Sequence, residues 1–337
     1  RYDTGTCRAR GPGTGKGKDF SRVELVSGDL MNITFWGVRG SIPCPGPQTV
    51  KYGGNTPCLE VQLRETQRVL VIDAGSGIRE LGNSLLRRDI PWGTTGVDIF
   101  LTHTHWDHIQ GLPFFTPIYL PRARINIYGP VTSEEQSIKE TLGLTLSYRY
   151  FPVRQDELSS QISYIDIKEG SFDLGGGLQL HARYLNHPVL CMGYRFEYRG
   201  KVFCTAYDTE PFRNLFTTDP THPDYEEYLH REGDEAAREA NARLEDFYRN
   251  ADLLVFDAQY TRAEYQAGKI GWGHTAYEDA IDTALRAGVK QLALFHHDPL
   301  RTDEELDKLA REVDRHKAGK EIEVSFAREG TTIEIRP

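Results

Sequence analysis

The feature that most constrains this chain is a run of ionisable side chains directly after a short apolar strand. Residues 97–102 have the pattern of a buried strand, and His103, His105, Asp107 and His108 follow within six residues. Imidazole nitrogen combined with carboxylate oxygen suits Zn²⁺, and also Mn²⁺ or Fe²⁺. Alternation directs His103 and His105 toward one ion and the next two side chains toward a second position. The spacing therefore predicts a metal site at the end of a strand.

Four ligands on one loop cannot complete two coordination spheres, so other strand ends must supply the rest. The candidates all follow segments with a strand pattern: His187 after 178–185, Asp208 after 202–205, and His296 and His297 after 291–295. A catalytic site of this kind also leaves positions open for water and substrate. We expect two divalent ions held by residues from several strand ends.

Strand-like and helical segments alternate along the chain, which excludes a helical bundle and favours a layered α/β domain over residues 31–337. One helix is predicted from a capping box of Thr275 and Glu278, and Gly288 is expected to end it. Residues 223–249, rich in Glu and Arg, are predicted to be a helical insertion with a solvated face rather than a substrate-binding arm.

Composition limits the partners of the chain. A net charge of -9 and a pI near 5.7 do not favour nucleic acid, although they do not exclude it. No apolar run predicts a membrane span or a signal peptide, and five cysteines without a CxxC pair fit a reducing cytoplasm. Residues 1–30 are interpreted as a flexible or non-native leader, because their Gly/Lys stretch lacks the first glycine of a phosphate-binding loop. The sequence leaves a homodimer open.

At this point the sequence resembles the metallo-β-lactamase-fold hydrolase superfamily, in the branch of tRNase Z and the cyclic phosphodiesterases. The resemblance covers nearly all of residues 31–337. The motifs that carry it are, in order, His103-Thr-His-Trp-Asp-His108 with Gly111, His187 followed by Gly193-Tyr-Arg, Asp208, residues 251–258, Gly273-His-Thr-Ala, and residues 292–296. It implies a four-layer αββα sandwich.

The resemblance also implies a division of the ligands between two ions. His103, His105 and His187 hold the first metal; Asp107, His108 and His296 hold the second; Asp208 bridges them. His296 is preferred to His297 because it directly follows the strand. His297 is expected to support the site or to touch substrate.

Catalytic residues follow by the same resemblance. In tRNase Z-like enzymes a carboxylate orients a histidine that protonates the leaving group, and Asp257 and His274 occupy these positions here. Two ions close together would share a hydroxide, and Asp107 is counted as catalytic because it helps to hold them. Asp73, at the end of an early strand, is expected to bond to a ligand histidine.

The substrate is the least determined part. Residues 35–43 and 52–56 resemble those of members that act on small phosphodiesters, which favours a cyclic nucleotide or a related small ester. Trp36 and Arg39 are candidate substrate contacts, as are Phe114 and Tyr207. Three alternatives remain: a tRNA 3′-end endonuclease, a thioesterase or lactonase, and a non-catalytic metal-bearing ligand sensor.

Overall fold

The structure is a computed structural model that describes residues 30–88, 90, 92–93, 96–131, 136–317 and 319–337. Apart from Leu30, the leader expected at residues 1–30 lies outside these residues. In the described part, the chain forms two seven-stranded mixed sheets. No helix there is both long enough and apolar enough to cross a lipid bilayer.

The first sheet has the spatial order β14-β1-β2-β3-β4-β5-β6. Strands β14, β1, β2 and β3 pair antiparallel, whereas β3, β4, β5 and β6 pair parallel. Its strands are β1 (Met31–Gly37), β2 (Cys58–Leu63), β3 (Arg68–Ile72), β4 (Val97–Phe100), β5 (Arg124–Pro130), β6 (Gln161–Ile167) and β14 (Thr332–Ile335).

The second sheet has the order β13-β12-β11-β10-β9-β8-β7 and repeats this pattern of three antiparallel and three parallel pairings. Its strands are β7 (Gly170–Asp173), β8 (Leu178–Leu185), β9 (Cys191–Tyr198), β10 (Lys201–Ala206), β11 (Leu253–Asp257), β12 (Gln291–Phe295) and β13 (Glu323–Phe326). The parallel strands β3 and β4 of one sheet, and β10, β11 and β12 of the other, matter most because polar loops follow their carboxyl ends.

Helices cover the outer faces of both sheets. The helices are α1 (Ile78–Arg87), α2 (Trp106–Ile109), α3 (Ile138–Thr145), α4 (Glu227–Phe247), α5 (Arg262–Gln266), α6 (Tyr277–Arg286) and α7 (Asp303–His316). Side chains of α1 and α3 pack on the first sheet, and those of α4, α6 and α7 pack on the second.

The largest core cluster lies between the two sheets, where strand periodicity directs one face of each strand inward. Strand β1 alternates buried and half-buried positions along its length, and Phe35 meets Phe295 of the opposite sheet at a centroid distance of 6.2 Å. With helices on both outer faces, this confirms the expected four-layer αββα sandwich.

Two expectations about helices have different outcomes. The capping box of Thr275 and Glu278 is wrong: the Thr275 hydroxyl donates to the Thr209 carbonyl, and helix α6 begins at Tyr277 without a side-chain cap. The Thr275 hydroxyl therefore makes a tertiary contact and does not cap the helix. Helix α6 does end before Gly288, which has a positive φ of 68°, and α4 occupies most of the predicted insertion.

Candidate metal centre

Seven of the predicted ligand side chains meet at one edge of the sandwich, where parallel strands of both sheets end. The loop after β4 carries four of them, and its helix α2 begins inside the motif. His187 lies between β8 and β9, Asp208 follows β10, and His296 follows β12. Each strand is held rigidly in a sheet, so these loops start from fixed positions.

The ligand atoms form two groups that share Asp208. The first cluster, as we call it, contains His103, His105, His187 and Asp208; the second cluster contains Asp107, His108, Asp208 and His296. In the first cluster His105 Nδ1 lies 3.2 Å from His187 Nε2. Asp208 Oδ2 lies 3.6 Å from His103 Nε2 and 3.9 Å from His187 Nε2.

The second cluster is more compact. His108 Nε2 lies 3.3 Å from His296 Nε2 and from Asp107 Oδ2, and Asp107 Oδ2 lies 3.2 Å from His296 Nε2. The other oxygen of the shared carboxylate, Asp208 Oδ1, lies 3.3 Å from both histidine nitrogens. Ligand atoms around a tetrahedral Zn²⁺ lie about 3.3–3.4 Å apart, given bonds of about 2.0–2.1 Å. The residues therefore fit a divalent cation in each cluster, with Asp208 facing both.

Two further observations support this fit. Among the described residues, the buried atoms His103 Nε2 and Asp208 Oδ1 have no hydrogen-bond partner, which would be costly unless a cation satisfied them. Burial lowers the pKa of His103 well below its usual value and that of His187 to about 4. Both rings are therefore neutral at pH 7, and each can offer a nitrogen lone pair.

Asp73 fixes the tautomers of one histidine in each cluster. His108 Nδ1 donates to Asp73 Oδ2 at 2.7 Å, which leaves Nε2 of that ring facing the second cluster. The Thr102 hydroxyl also donates to Asp73, at 2.8 Å, so that its oxygen accepts from His103 Nδ1 at 3.1 Å. The contact expected between Asp73 and a ligand histidine is present, and it reaches both clusters through one carboxylate.

Two residues of the centre that directly follow strands adopt the left-handed backbone region that non-glycine residues rarely enter. Asp73, directly after β3, has a φ of 61°, and His296, directly after β12, has a φ of 62°. Each turns the chain at a strand end so that the side chain faces the clusters. Because of the turn at His296, His297 enters the interior instead.

Trp36, Arg39 and His297, which the sequence suggested as substrate contacts, have partners elsewhere in the structure. His297 is buried and donates from Nε2 to the Ala327 carbonyl at 2.8 Å. Arg39 is fully buried, and its guanidinium donates to the backbone carbonyls of Gly53, Asp298 and Arg301. Trp36 packs in the outer core of the first sheet and donates from its indole to Glu60. Arg39 and His297 hold loops, Trp36 joins two neighbouring strands, and none of the three lines the cleft.

The two aromatic candidates for substrate contact lie in different environments. Tyr207 is fully buried and stacks on Phe295 at 4.6 Å, so its ring is part of the core. Phe114 is 55% exposed and meets Phe151 edge to face. Neither lines the cleft over the clusters.

Asp257 and His274 form a buried pair beside the clusters. His274 Nδ1 donates to Asp257 Oδ2 at 2.9 Å, and the His274 ring stacks on His296 at 5.0 Å. Burial alone would lower the pKa of His274, but the charge and hydrogen bond of Asp257, together with the charges of Asp208 and Asp107, outweigh it and raise that pKa to about 9. The pair can hold a proton at neutral pH on the side of the cleft.

An open cleft of about 490 Å³ gives access to the centre. It is lined by Ser41, Thr104, His105, Trp106, Asp107, Asp208, His274 and His296. The sequence did not single out Ser41, whose backbone N–H donates to Asp107 Oδ2 at 2.8 Å, or Trp106, which is 78% exposed inside the ligand motif. The position of Trp106 among four ligands could have been noticed in the sequence. The role of Ser41 could not, because a backbone N–H is present at almost every residue.

Close packing explains two glycines of the centre. A Cβ at Gly40 would lie 2.7 Å from the His296 ring, and one at Gly273 would lie 2.2 Å from His187 Nδ1. Gly273 also has a φ of 81°, and its carbonyl accepts from His187 Nδ1 at 3.0 Å. Glycine at these positions lets backbone approach the ligand rings.

The chain is similar to known sequences over much of its length. The family described as "Beta-lactamase superfamily domain" matches residues 68–219. Ribonuclease Z of Exiguobacterium sibiricum is 29% identical over 248 residues, which are 64% of this chain and 76% of that protein.

Solved structures show the same fold at low sequence identity. The metallo-beta-lactamase fold protein YhfI from Bacillus subtilis has a TM-score of 0.59 and 19% identity, covering 91% of this chain and 100% of the other. The short form of human tRNase Z has a TM-score of 0.56 and 19% identity over the same shares of the two chains. Both similarities show that the chain shares this fold.

Proposed function

We propose that this chain belongs to the metallo-β-lactamase-fold hydrolase superfamily and is a dinuclear metal-dependent phosphodiesterase. The observation that carries the proposal is the carboxylate of Asp208, whose two oxygens face two separate clusters beside a buried histidine–carboxylate pair. Zn²⁺ is the ion we expect in both clusters, with Mn²⁺ or Fe²⁺ as substitutes.

The chemistry of such a centre divides between the ions and the chain. Divalent ions held by the two clusters would supply Lewis acidity that activates water at neutral pH and neutralises charge on the phosphate oxygens. The chain holds the geometry: Asp208 faces both clusters, and Asp73 engages Nδ1 of His108 directly and Nδ1 of His103 through Thr102, so that Nε2 of each ring faces the clusters. Ser41 orients Asp107 through its backbone N–H.

His274 is placed to protonate the departing alcohol. Its Nδ1 is engaged by Asp257, so Nε2 is the ring atom left to face the cleft, which His274 lines. A raised pKa keeps this ring protonated at neutral pH, which a general acid for an alkoxide leaving group requires. Turnover should therefore be lost as pH rises through the pKa of His274.

Small nucleoside phosphodiesters, such as 3′,5′-cyclic nucleotides, are the substrate class we put first. The net charge of -9 supports a small substrate over a polyanion that needs many basic contacts. The open shape of the cleft also accommodates the end of a larger nucleic acid. Precursor tRNA is the second candidate, favoured by the relatives named ribonuclease Z.

The test is a substrate panel on protein purified without chelator and analysed for metal. The panel contains 3′,5′-cyclic AMP, bis(p-nitrophenyl) phosphate, a precursor tRNA with a 3′ trailer, and a carboxylic ester. We expect two metal ions per chain and turnover of phosphodiesters. Faster turnover of the carboxylic ester would overturn the proposal in favour of an esterase or lactonase. Full metal content without turnover of any phosphodiester would favour a sensor.

A further inference from the structure

Two exposed indoles and a lysine lie next to the first cluster, and we call them the aromatic rim: Trp106, Lys269 and Trp272. Trp106 is 78% exposed and Trp272 is 56% exposed. The Lys269 ammonium lies 3.8 Å from the centroid of the Trp272 ring, a close cation–π contact. Tryptophan rings that remain in water beside an active-site cleft are unusual, because burying them is favourable.

Trp106 lines the cleft, and Trp272 lies in a segment whose backbone contacts a ligand of the same cluster. Trp106 directly follows His105, and Trp272 directly precedes Gly273, whose carbonyl accepts a hydrogen bond from His187. The rings of His105 and His187 approach to 3.2 Å. The segments that carry the two indoles therefore meet at the first cluster.

The rim also connects to the proton-donating pair. The Lys269 ammonium lies 5.4 Å from the centroid of the Tyr260 ring, and Tyr260 meets the His274 ring edge to face at 6.1 Å. Lys269 is thus one ring away from His274. Because His274 is proposed to protonate the departing alcohol, the rim lies on the side of the leaving group.

The loop that carries Lys269 and Trp272 is fixed in place. Glu210, two residues after the shared ligand Asp208, accepts from the Gly271 backbone N–H at 2.8 Å and from the Tyr265 hydroxyl at 3.1 Å. At its other end the loop is tied to His187 through Gly273. A binding surface held at both ends loses little freedom when a ligand stacks on it.

Charge adds a second argument. In the part of the chain that the structure describes, no carboxylate pairs with Lys269, although the chain carries nine excess negative charges. Arg213 lies close to the same loop, with Nη2 3.5 Å from where a Cβ at Gly271 would lie. Cations that remain unpaired in an acidic protein are available to an anionic ligand.

We propose, resting on the phosphodiesterase function above, that the aromatic rim is the subsite for the nucleobase on the leaving-group side of the scissile phosphate. The base stacks on the exposed indoles, and Lys269 meets the anionic sugar–phosphate part. The same chemistry serves a cyclic nucleotide and the terminal nucleotide of an RNA. The rim therefore determines preference for base-bearing esters without taking part in bond cleavage.

The experiment compares two substrates that differ only in the base. These are 3′,5′-cyclic AMP and abasic ribose 3′,5′-cyclic phosphate, with product formation followed by ³¹P NMR. For Trp106→Ala and Trp272→Ala we expect kcat/KM on cyclic AMP to fall about 10- to 100-fold through KM, with at least tenfold less loss on the abasic ester. Trp106→Phe and Trp272→Phe should recover most of the loss. Tyr228→Ala, an exposed ring on α4, is the matched control and should behave as the parent protein.

A binding measurement separates this inference from the function on which it rests. Titration of the metal-loaded protein with AMP should quench tryptophan fluorescence, and the Trp106→Ala/Trp272→Ala double variant should lose the quenching. Equal losses on both esters, or quenching that survives in the double variant, would overturn the rim as a base subsite. Quenching without turnover of either ester by the parent protein would sink the phosphodiesterase proposal and leave the subsite standing. Adenylyl-adenosine serves as a third substrate that represents an RNA end. If the rim variants lose more kcat/KM on adenylyl-adenosine than on cyclic AMP, the rim binds the end of an RNA; the opposite order indicates a cyclic nucleotide.

Discussion

The two ligand clusters share Asp208 but differ in burial. All four residues of the second cluster are buried, whereas His105 of the first cluster is exposed, although the side chain of His187 is buried. Between ligand atoms, the second cluster has distances of 3.2–3.3 Å, and the first extends from 3.2 to 3.9 Å.

Support by hydrogen bonds differs at one ligand, because His103 and His187 of the first cluster have partners outside the clusters but His105 does not. Asp107 of the second cluster accepts from the Ser41 backbone, and the His108 ring donates to Asp73. In the first cluster, His105 has no such support: within the described part of the chain, its imidazole nitrogens contact only the ring of another ligand. A buried, pre-oriented site binds a cation more tightly than an exposed one. The second cluster is thus suited to retain its ion, and the first to face substrate.

The largest effect is expected from the ligand that the clusters share. Asp208→Ala should reduce turnover by roughly 10³-fold or more, because it removes one ligand from each ion at once. Metal content should fall well below two equivalents in elemental analysis, while far-UV circular dichroism stays unchanged. A variant that keeps two ions and more than a tenth of the activity would show that the clusters are independent.

The choice between neighbouring histidines tests the second cluster alone. His296→Ala should lose one ion and about 10²- to 10³-fold in kcat, since it removes a buried ligand. His297→Ala should keep both ions and lose less than tenfold, although its stability should fall by about 2–4 kcal/mol through the lost contact to Ala327 and the cavity left behind. Metal content and thermal denaturation measure both. Equal loss of metal in the two variants would make the assignment of the last ligand unsafe.

The variant His274→Asn tests whether the His274 ring, which stacks on His296, helps to hold the clusters or acts on the leaving group. Loss of a general acid should lower kcat on cyclic AMP by about 10²-fold or more. Bis(p-nitrophenyl) phosphate should be far less affected, because p-nitrophenolate leaves without a proton. Metal content should not change. A parallel loss on both substrates would indicate a role in holding the second cluster.

The smallest effect on rate is expected from Asp73, whose partners belong to both clusters. Asp73→Asn should weaken metal affinity about 10- to 100-fold, because an amide no longer fixes the tautomers of His103 and His108. Excess Zn²⁺ should restore most of the turnover. In the parent protein, graded chelation should remove one ion before the other. Simultaneous release of both ions would contradict the difference between the clusters.

Much of the centre could be predicted because metal ligands are limited to few residue types and occur in loops after strands. The motif of residues 103–108 and the single residues His187, Asp208 and His296 stood out on these grounds. Asp257 and His274 followed from their resemblance to a known pair. Their hydrogen bond of 2.9 Å is present, and their catalytic role stays a prediction.

Contacts between residues far apart in sequence explain what could not be predicted. Arg39 looked like a phosphate-binding side chain, but its partner Arg301 lies 262 positions away and offers a backbone carbonyl. Thr275 is of a residue type that often caps helices, but its hydroxyl donates to the backbone carbonyl of Thr209, 66 positions away. Local pattern contains no information on such pairings.

The sequence by itself determined the chemical character of this protein: which donor atoms exist, and that they follow strands of a layered α/β domain. Only the tertiary structure decided which of them face one another, which of His296 and His297 turns into the centre, and which aromatic side chains remain in water. The reason is physical: ligand type is a property of one residue, whereas burial and hydrogen-bond partners are properties of two sheets packed together.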